Sequence, residues 1–172
     1  MGSSSKVVIM ESSYETCAEA VEYAFASFPL AIAGKNVVVK VNAIRASDPD
    51  NSAIVTHPAL LKVVIDKLET LGPKQILVGD SVGTESYGNS RQVFDTTGLR
   101  AAAGPYYRNL SLSLKMVDVE RPFKRRVAVL RDVLEADVYS SLAKMKTHGL
   151  TMLSGAVKNN YGLLAGAQKS WY

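Results

Sequence analysis

The chain has 172 residues and a mass of 18.5 kDa, is 47% hydrophobic and 21% charged, and carries a net charge of +4. That length suits one domain with a buried core, and the composition excludes a disordered chain. No apolar run approaches the about 20 residues that cross a bilayer, nothing in the opening residues reads as a secretion signal, and the single Cys17 excludes an internal disulfide.

Met1 to Ser5 reads as a linker or disordered start, leaving 6–172 as a single α/β domain. Lys6 to Met10 is a short β-branched run. Ser13 can cap a helix through Phe28, with Ala18, Val21, Ala24 and Phe25 at helical spacing and Cys17 as a plain core thiol. Asn36 to Val41 (NVVVKV) has the continuous valines of a strand buried on both faces. Asp48-Pro49-Asp50-Asn51 has turn composition, and Thr56-His57-Pro58 opens a second helix with the apolar face Leu60, Leu61, Val64, Ile65, Leu68 and Leu71. Gln75 to Val78 is a third strand, followed by a loop and a helix from Ser90 to Thr97. Leu112 to Val117 and Arg126 to Leu130 read as an antiparallel pair. A short helix near Leu130 to Ala136 and a strand from Val138 to Leu142 follow. The last helix is expected around Gly155 to Leu164. Tyr106-Tyr107 and Arg121 to Arg126 read as surface features. Alternating strands and helices predict an α/β fold: a Rossmann-like layered sheet, mostly parallel, with helices on both faces.

The charge is unevenly placed. From Val138 to Tyr172 there are Lys144, Lys146, Lys158, Lys169 and His148, and no carboxylate. The segment lacks arginine and is apolar and glycine-rich rather than a charged helix face, so no nucleic-acid partner is expected. In a parallel sheet, ligands bind beyond the carboxyl ends of the strands. Polar residues collect at three such ends: Lys40 with Asn42, Asp80 with Ser81, and Lys144-Met145-Lys146-Thr147-His148-Gly149. Glycines there would let backbone N–H groups approach a ligand, and a helix starting near Ser154 or Gly155 would present its positive end.

These residues support an anionic ligand, phosphate or carboxylate. The ligand-binding candidates are Lys40, Asn42, Thr56, Ser81, Lys144, Lys146, Lys158, Asn159 and Lys169, and the catalytic candidates are His148, Asp80 and His57. No metal ligand is assigned. Plainer roles stand beside these: Asn42 as a turn residue, Asp80-Ser81 as a βα-turn cap, Thr56-His57-Pro58 as a helix start, and the lysines as solvated charges.

Asp137-Val138, Lys144-Met145-Lys146-Thr147-His148-Gly149, Ser154-Gly155-Ala156-Val157-Lys158-Asn159, Gly162, Gly166 and Lys169 together resemble the signature of domain-of-unknown-function family 362. Val39-Lys40-Val41-Asn42, Thr56-His57-Pro58 and Val78-Gly79-Asp80-Ser81 match its other motifs in order. The resemblance runs from about Lys35 to Lys169. It departs at Ala143, where proline is usual, at Asn160, where an apolar residue is usual, and at Tyr172, where the family continues. The last departure reads as a domain shortened at its C-terminal end. Members are bacterial and archaeal, and many carry a ferredoxin-like iron–sulfur domain. The resemblance therefore implies a redox partner, with any iron–sulfur cluster held by a longer or partner protein and no cofactor bound by this chain alone.

His148, Ser154-Gly155 and Lys158, with Thr56-His57-Pro58 upstream of a helix, are also similar to the N-terminal domain of nickel-dependent lactate racemase. There, histidine and lysine residues surround a nucleotide-derived nickel cofactor. Four expectations follow: an anion-binding domain that is part of an enzyme, a redox domain, a racemase-like domain, or a non-catalytic interaction domain that forms a homodimer. A cytoplasmic location and no membrane partner are expected throughout.

Overall fold

The computed structural model describes residues 5–120 and 125–170. Most of the expected linker, 1–4, and the arginine-bearing stretch 121–124 lie outside the described residues. Among the described residues no helix is long and apolar enough to cross a membrane.

The fold is mixed α/β. Strands β1 (Asn36–Val41), β2 (Gln75–Gly79) and β5 (Val138–Leu142) form a parallel sheet in the order β2-β1-β5. Tyr107 extends the β2 edge by one parallel bridge to Val78. Two antiparallel pairs stand apart from it, β3 (Leu114–Val119) with β4 (Arg125–Leu130) and β6 (Lys146–His148) with β7 (Met152–Ser154). The parallel core of the expected sheet is therefore three strands wide.

The valine run of β1 is continuous because both faces of the central strand are covered. Val37, Val39 and Val41 face helices α1 (Cys17–Ser27), α2 (Pro58–Thr70), α3 (Ser90–Thr96) and α4 (Leu99–Ala103), through Val21, Leu61, Val64, Ile65, Leu68, Phe94 and Leu99. Val38 points the other way, against Leu110, Leu130 and Val133 of the short helix α5 (Arg131–Leu134). Side chains alternate along a strand, so Lys40 emerges on the Val38 face, two residues nearer the carboxyl end.

Four expectations need correction. Residues 6–10 form no strand: Val7 and Ile9 are exposed, and among the described residues no neighbouring strand pairs with them. Tyr107 packs against the core, its ring tilted against Phe94 at 4.8 Å and its hydroxyl buried, while Tyr106 packs its ring against the same core and reaches the surface with its hydroxyl, which donates to Glu69. The final helix is one turn, α6 (Ala156–Asn159), continued as a 3-10 turn over Asn160–Leu163. One turn of helix has little dipole to offer a ligand. The segment before it is the β6–β7 hairpin, whose three-residue strands carry no readable periodicity.

Candidate functional site

All three parallel strands end on the same side, and their following loops converge there. Pairing sets Lys40 opposite Gly79 on β2 and Ser141 on β5. Asp80, the first residue past β2, therefore lands beside Lys40. Lys40 is fully buried, and its Nζ lies 2.7 Å from Asp80 Oδ1. That amine also donates to Asn159 Oδ1 at 3.0 Å and to the Val41 carbonyl at 3.2 Å. Asp80 accepts in addition from the Ala43 and Ser81 N–H groups, each at 2.8 Å. Asn159 completes the link by donating through Nδ2 to Ser141 Oγ at 3.0 Å. A buried ion pair is tolerable when its remaining hydrogen-bonding positions are filled, as these are.

Thr56 ties two strand ends together. Its Oγ1 accepts from the Asn42 N–H at 2.8 Å and donates to the Leu142 carbonyl at 2.6 Å. Asn42 in turn accepts from Lys146 Nζ through Oδ1. Lys146 and His148 alternate with Thr147 on β6 and share a face, and Ser154 sits directly across the hairpin from Lys146. The C-terminal stretch is fastened to β4, where Leu164 bridges Val129 and Gln168 accepts from the Ala128 N–H. That anchorage brings Lys169 back over the β2 loop. Its Nζ donates to the Ser81 carbonyl, Ser81 Oγ and the Val82 carbonyl at 2.6, 2.9 and 2.8 Å.

These residues enclose a cavity of about 210 Å³. Its wall carries four lysines, Lys40, Lys146, Lys158 and Lys169, with His148, Asn42, Ser81, Ser154 and Asn159. Asp80 is the carboxylate in this wall, and it is already engaged by Lys40. Burial lowers Lys146 to about 8, helped by the positive charges of Lys158 and Lys144. Burial also lowers Lys169 to about 8, with nearby Asp80 opposing the shift. Among the described residues, no hydrogen bond or ion pair holds Lys158 Nζ. Ser154, 5% exposed, has a buried hydroxyl without a hydrogen-bond partner. His148 Nδ1 accepts the Leu150 and Thr151 N–H groups at 3.1 and 3.2 Å, which leaves Nε2 as the nitrogen that carries the ring proton.

The cavity thus brings together most of the residues singled out by the sequence, and three lie outside its lining. Lys144 turns to the Tyr14 hydroxyl and lies over that ring. Thr56 is the strand clamp. His57 caps α2 by accepting the Ala59 N–H, pairs with Asp50 at 2.9 Å, and stacks on Tyr14 with ring centroids 3.6 Å apart. His57 and His148 consequently do not face this cavity together. Sequence reasoning missed Tyr161, and it named Ser154 and Gly162 only as a helix start and a motif glycine; all three reach the wall through the hairpin and the 3-10 turn.

Gly162 has a packing role of its own. A methyl group on Gly162 would lie 2.7 Å from Lys40 Nζ and 3.0 Å from Asp80 Oδ1, so this glycine lets the 3-10 turn close over the buried pair.

Among the described residues no group of three or more His, Cys, Asp or Glu side chains is placed to hold a metal. Cys17 is buried in α1, with its thiol toward the Tyr14 carbonyl. A cluster of the ferredoxin type takes several thiolate ligands, which this chain's single cysteine does not fit.

Residues 37–172 match the sequence profile described as domain of unknown function DUF362. Over 148 residues, 81% of its length, the chain is 26% identical to a thylakoid-associated protein of Synechocystis sp., and it spans 42% of that protein. No solved structure matches the chain.

Proposed function

The chain belongs to the DUF362 family, and on that premise we propose that its strand-end cavity binds the anionic group, phosphate or carboxylate, of a small molecule. One observation carries the reading: among the described residues four lysines share a small cavity with a single carboxylate, and that carboxylate is taken by Lys40. Bringing amines together without counter-charges is costly, and an anion relieves the cost. Lys158 and the Ser154 hydroxyl are the groups left to receive it, with Lys146 alongside.

The parallel strands, covered on both faces, form in this reading the core of a Rossmann-like layered domain with its ligand at the strand ends. The domain is part of an enzyme. His148 Nε2 is its acid–base group, since Nδ1 is held by two backbone N–H groups and the ring cannot turn without losing both. Asp80 positions Lys40 rather than acting on the ligand, because its two oxygens already accept three hydrogen bonds. A cytoplasmic location accords with a small, charged metabolite as the ligand.

A thermal-shift panel of phosphates, carboxylates and hydroxy-acids, run at constant ionic strength on the parent chain and on Lys158→Ala, tests the reading. A ligand at a hundred times its Kd adds about 2.7 kcal/mol of stability. Stabilisation by an anion that Lys158→Ala abolishes is the expected result. No stabilisation by any member of the panel contradicts it.

A further inference from the structure

The lysine cavity does not end at its polar wall. A second, largely apolar hollow of about 860 Å³ adjoins it, lined by Leu150, Leu153, Ala156 and Val157, and shares Lys158 and His148 with it. Leu150 is 86%, Val157 89% and Leu153 57% exposed. Solvent-facing apolar side chains gathered at the mouth of a charged cavity are unlike scattered surface hydrophobics and mark a binding surface.

We propose that the ligand is amphipathic: its phosphate or carboxylate enters the lysine cavity while an aromatic or alkyl body lies over the hairpin and α6. This inference rests on the anion-binding reading above and adds to it the chemical class of the rest of the molecule. Size supports the division. About 210 Å³ is below the range of about 300–1,000 Å³ usual for sites that enclose a whole small molecule. The cavity suits an anionic head group, and the adjoining hollow has room for a body. Continuity favours a single occupant, because the Lys158 side chain borders both spaces and its apolar stem and charged head match the two halves of such a ligand.

The test compares inorganic phosphate with phenyl phosphate by titration calorimetry, on the parent chain, Val157→Ser, Leu153→Ser and Lys158→Ala, with light scattering on each. Val157 and Leu153 are exposed, so these two variants leave the core intact, which a thermal melt checks. Phenyl phosphate binding about tenfold or more tighter than phosphate is the expected result, as burial of a ring predicts. Val157→Ser and Leu153→Ser then lose most of that advantage and bind phosphate as the parent does, while Lys158→Ala weakens both probes. Equal affinities for the two probes, or serine variants that leave their ratio unchanged, overturn the amphipathic proposal while the anion site stands. Binding of neither probe removes both. A serine variant that turns a dimer into a monomer with affinities unchanged assigns the apolar surface to a second copy of the chain and also overturns the proposal.

Discussion

Lys40 and Asp80 meet because β1 and β2 pair in parallel with Lys40 opposite Gly79, which sets the next residue's carboxylate 2.7 Å from the lysine amine. Neither side chain exceeds 4% exposure. Lys40→Met leaves a buried carboxylate without its counter-ion, and chemical denaturation should show a loss of about 3–5 kcal/mol. Adding Asp80→Asn to that variant removes the stranded charge and should restore part of the loss. A single variant as stable as the parent would refute the assignment of this pair.

Gly162 covers the same pair. Gly162→Ala places a methyl group against Lys40 Nζ and Asp80 Oδ1, and it should cost about 1–3 kcal/mol through forced displacement. Gly155→Ala serves as the control, since nothing lies within 4 Å of a methyl group there. Equal losses from the two variants would show that crowding at Lys40 is not the cause.

Lys146 and Lys169 are both lowered from the ordinary 10.5 to about 8, first by burial. An anion favours the charged amine, so each liganded pKa lies above the free one. Anion affinity is therefore full below about pH 8 and falls as pH rises through that value, by up to about tenfold per unit for each lysine involved. Stability without ligand runs the opposite way. Between about pH 8 and about pH 10.5 the unfolded chain holds more protons on these lysines, so their contribution favours folding increasingly as pH rises. Calorimetric titration with phosphate from about pH 7 to about pH 10 checks the first sign, and an affinity that stays flat would count against both lysines.

His57 offers a separation of roles. His57→Ala removes the α2 cap and should cost about 1 kcal/mol in a denaturation experiment, with phosphate affinity unchanged. Lys158→Ala should do the reverse, weakening phosphate while leaving stability near that of the parent, because no hydrogen bond or ion pair among the described residues depends on its amine. A large loss of phosphate affinity in His57→Ala would return that histidine to the binding site.

The three parallel strands and α2 were readable from the sequence because their signals are local: a valine run for β1, a Pro at the first turn and an i, i+3, i+4, i+7 stripe for α2. That polar residues converge was readable too, since they gather where those strands end. The site's internal arrangement was not. Lys144 and Lys146 look equivalent in sequence, but β6 begins at Lys146, and the residues before it direct Lys144 to Tyr14. The segment with no carboxylate meets Asp80 in the cavity wall, but strand register gives that carboxylate to Lys40 of β1 and not to the segment's own lysines. Asn160, where the family resemblance leads one to expect an apolar residue, accepts from the Tyr139 hydroxyl at 2.7 Å, a partner that only the packing of α6 on β5 brings near.

The central claim, that the lysine cavity is an anion site, is tested most directly by following backbone amide resonances during titration with inorganic phosphate at constant ionic strength. Saturable shifts confined to the residues around Ser81, Ser154, Lys158 and Asn159, with Tyr14, Asp50 and His57 unmoved, are the predicted result. Shifts that never saturate, or that spread to exposed lysines such as Lys62 and Lys115, would contradict it.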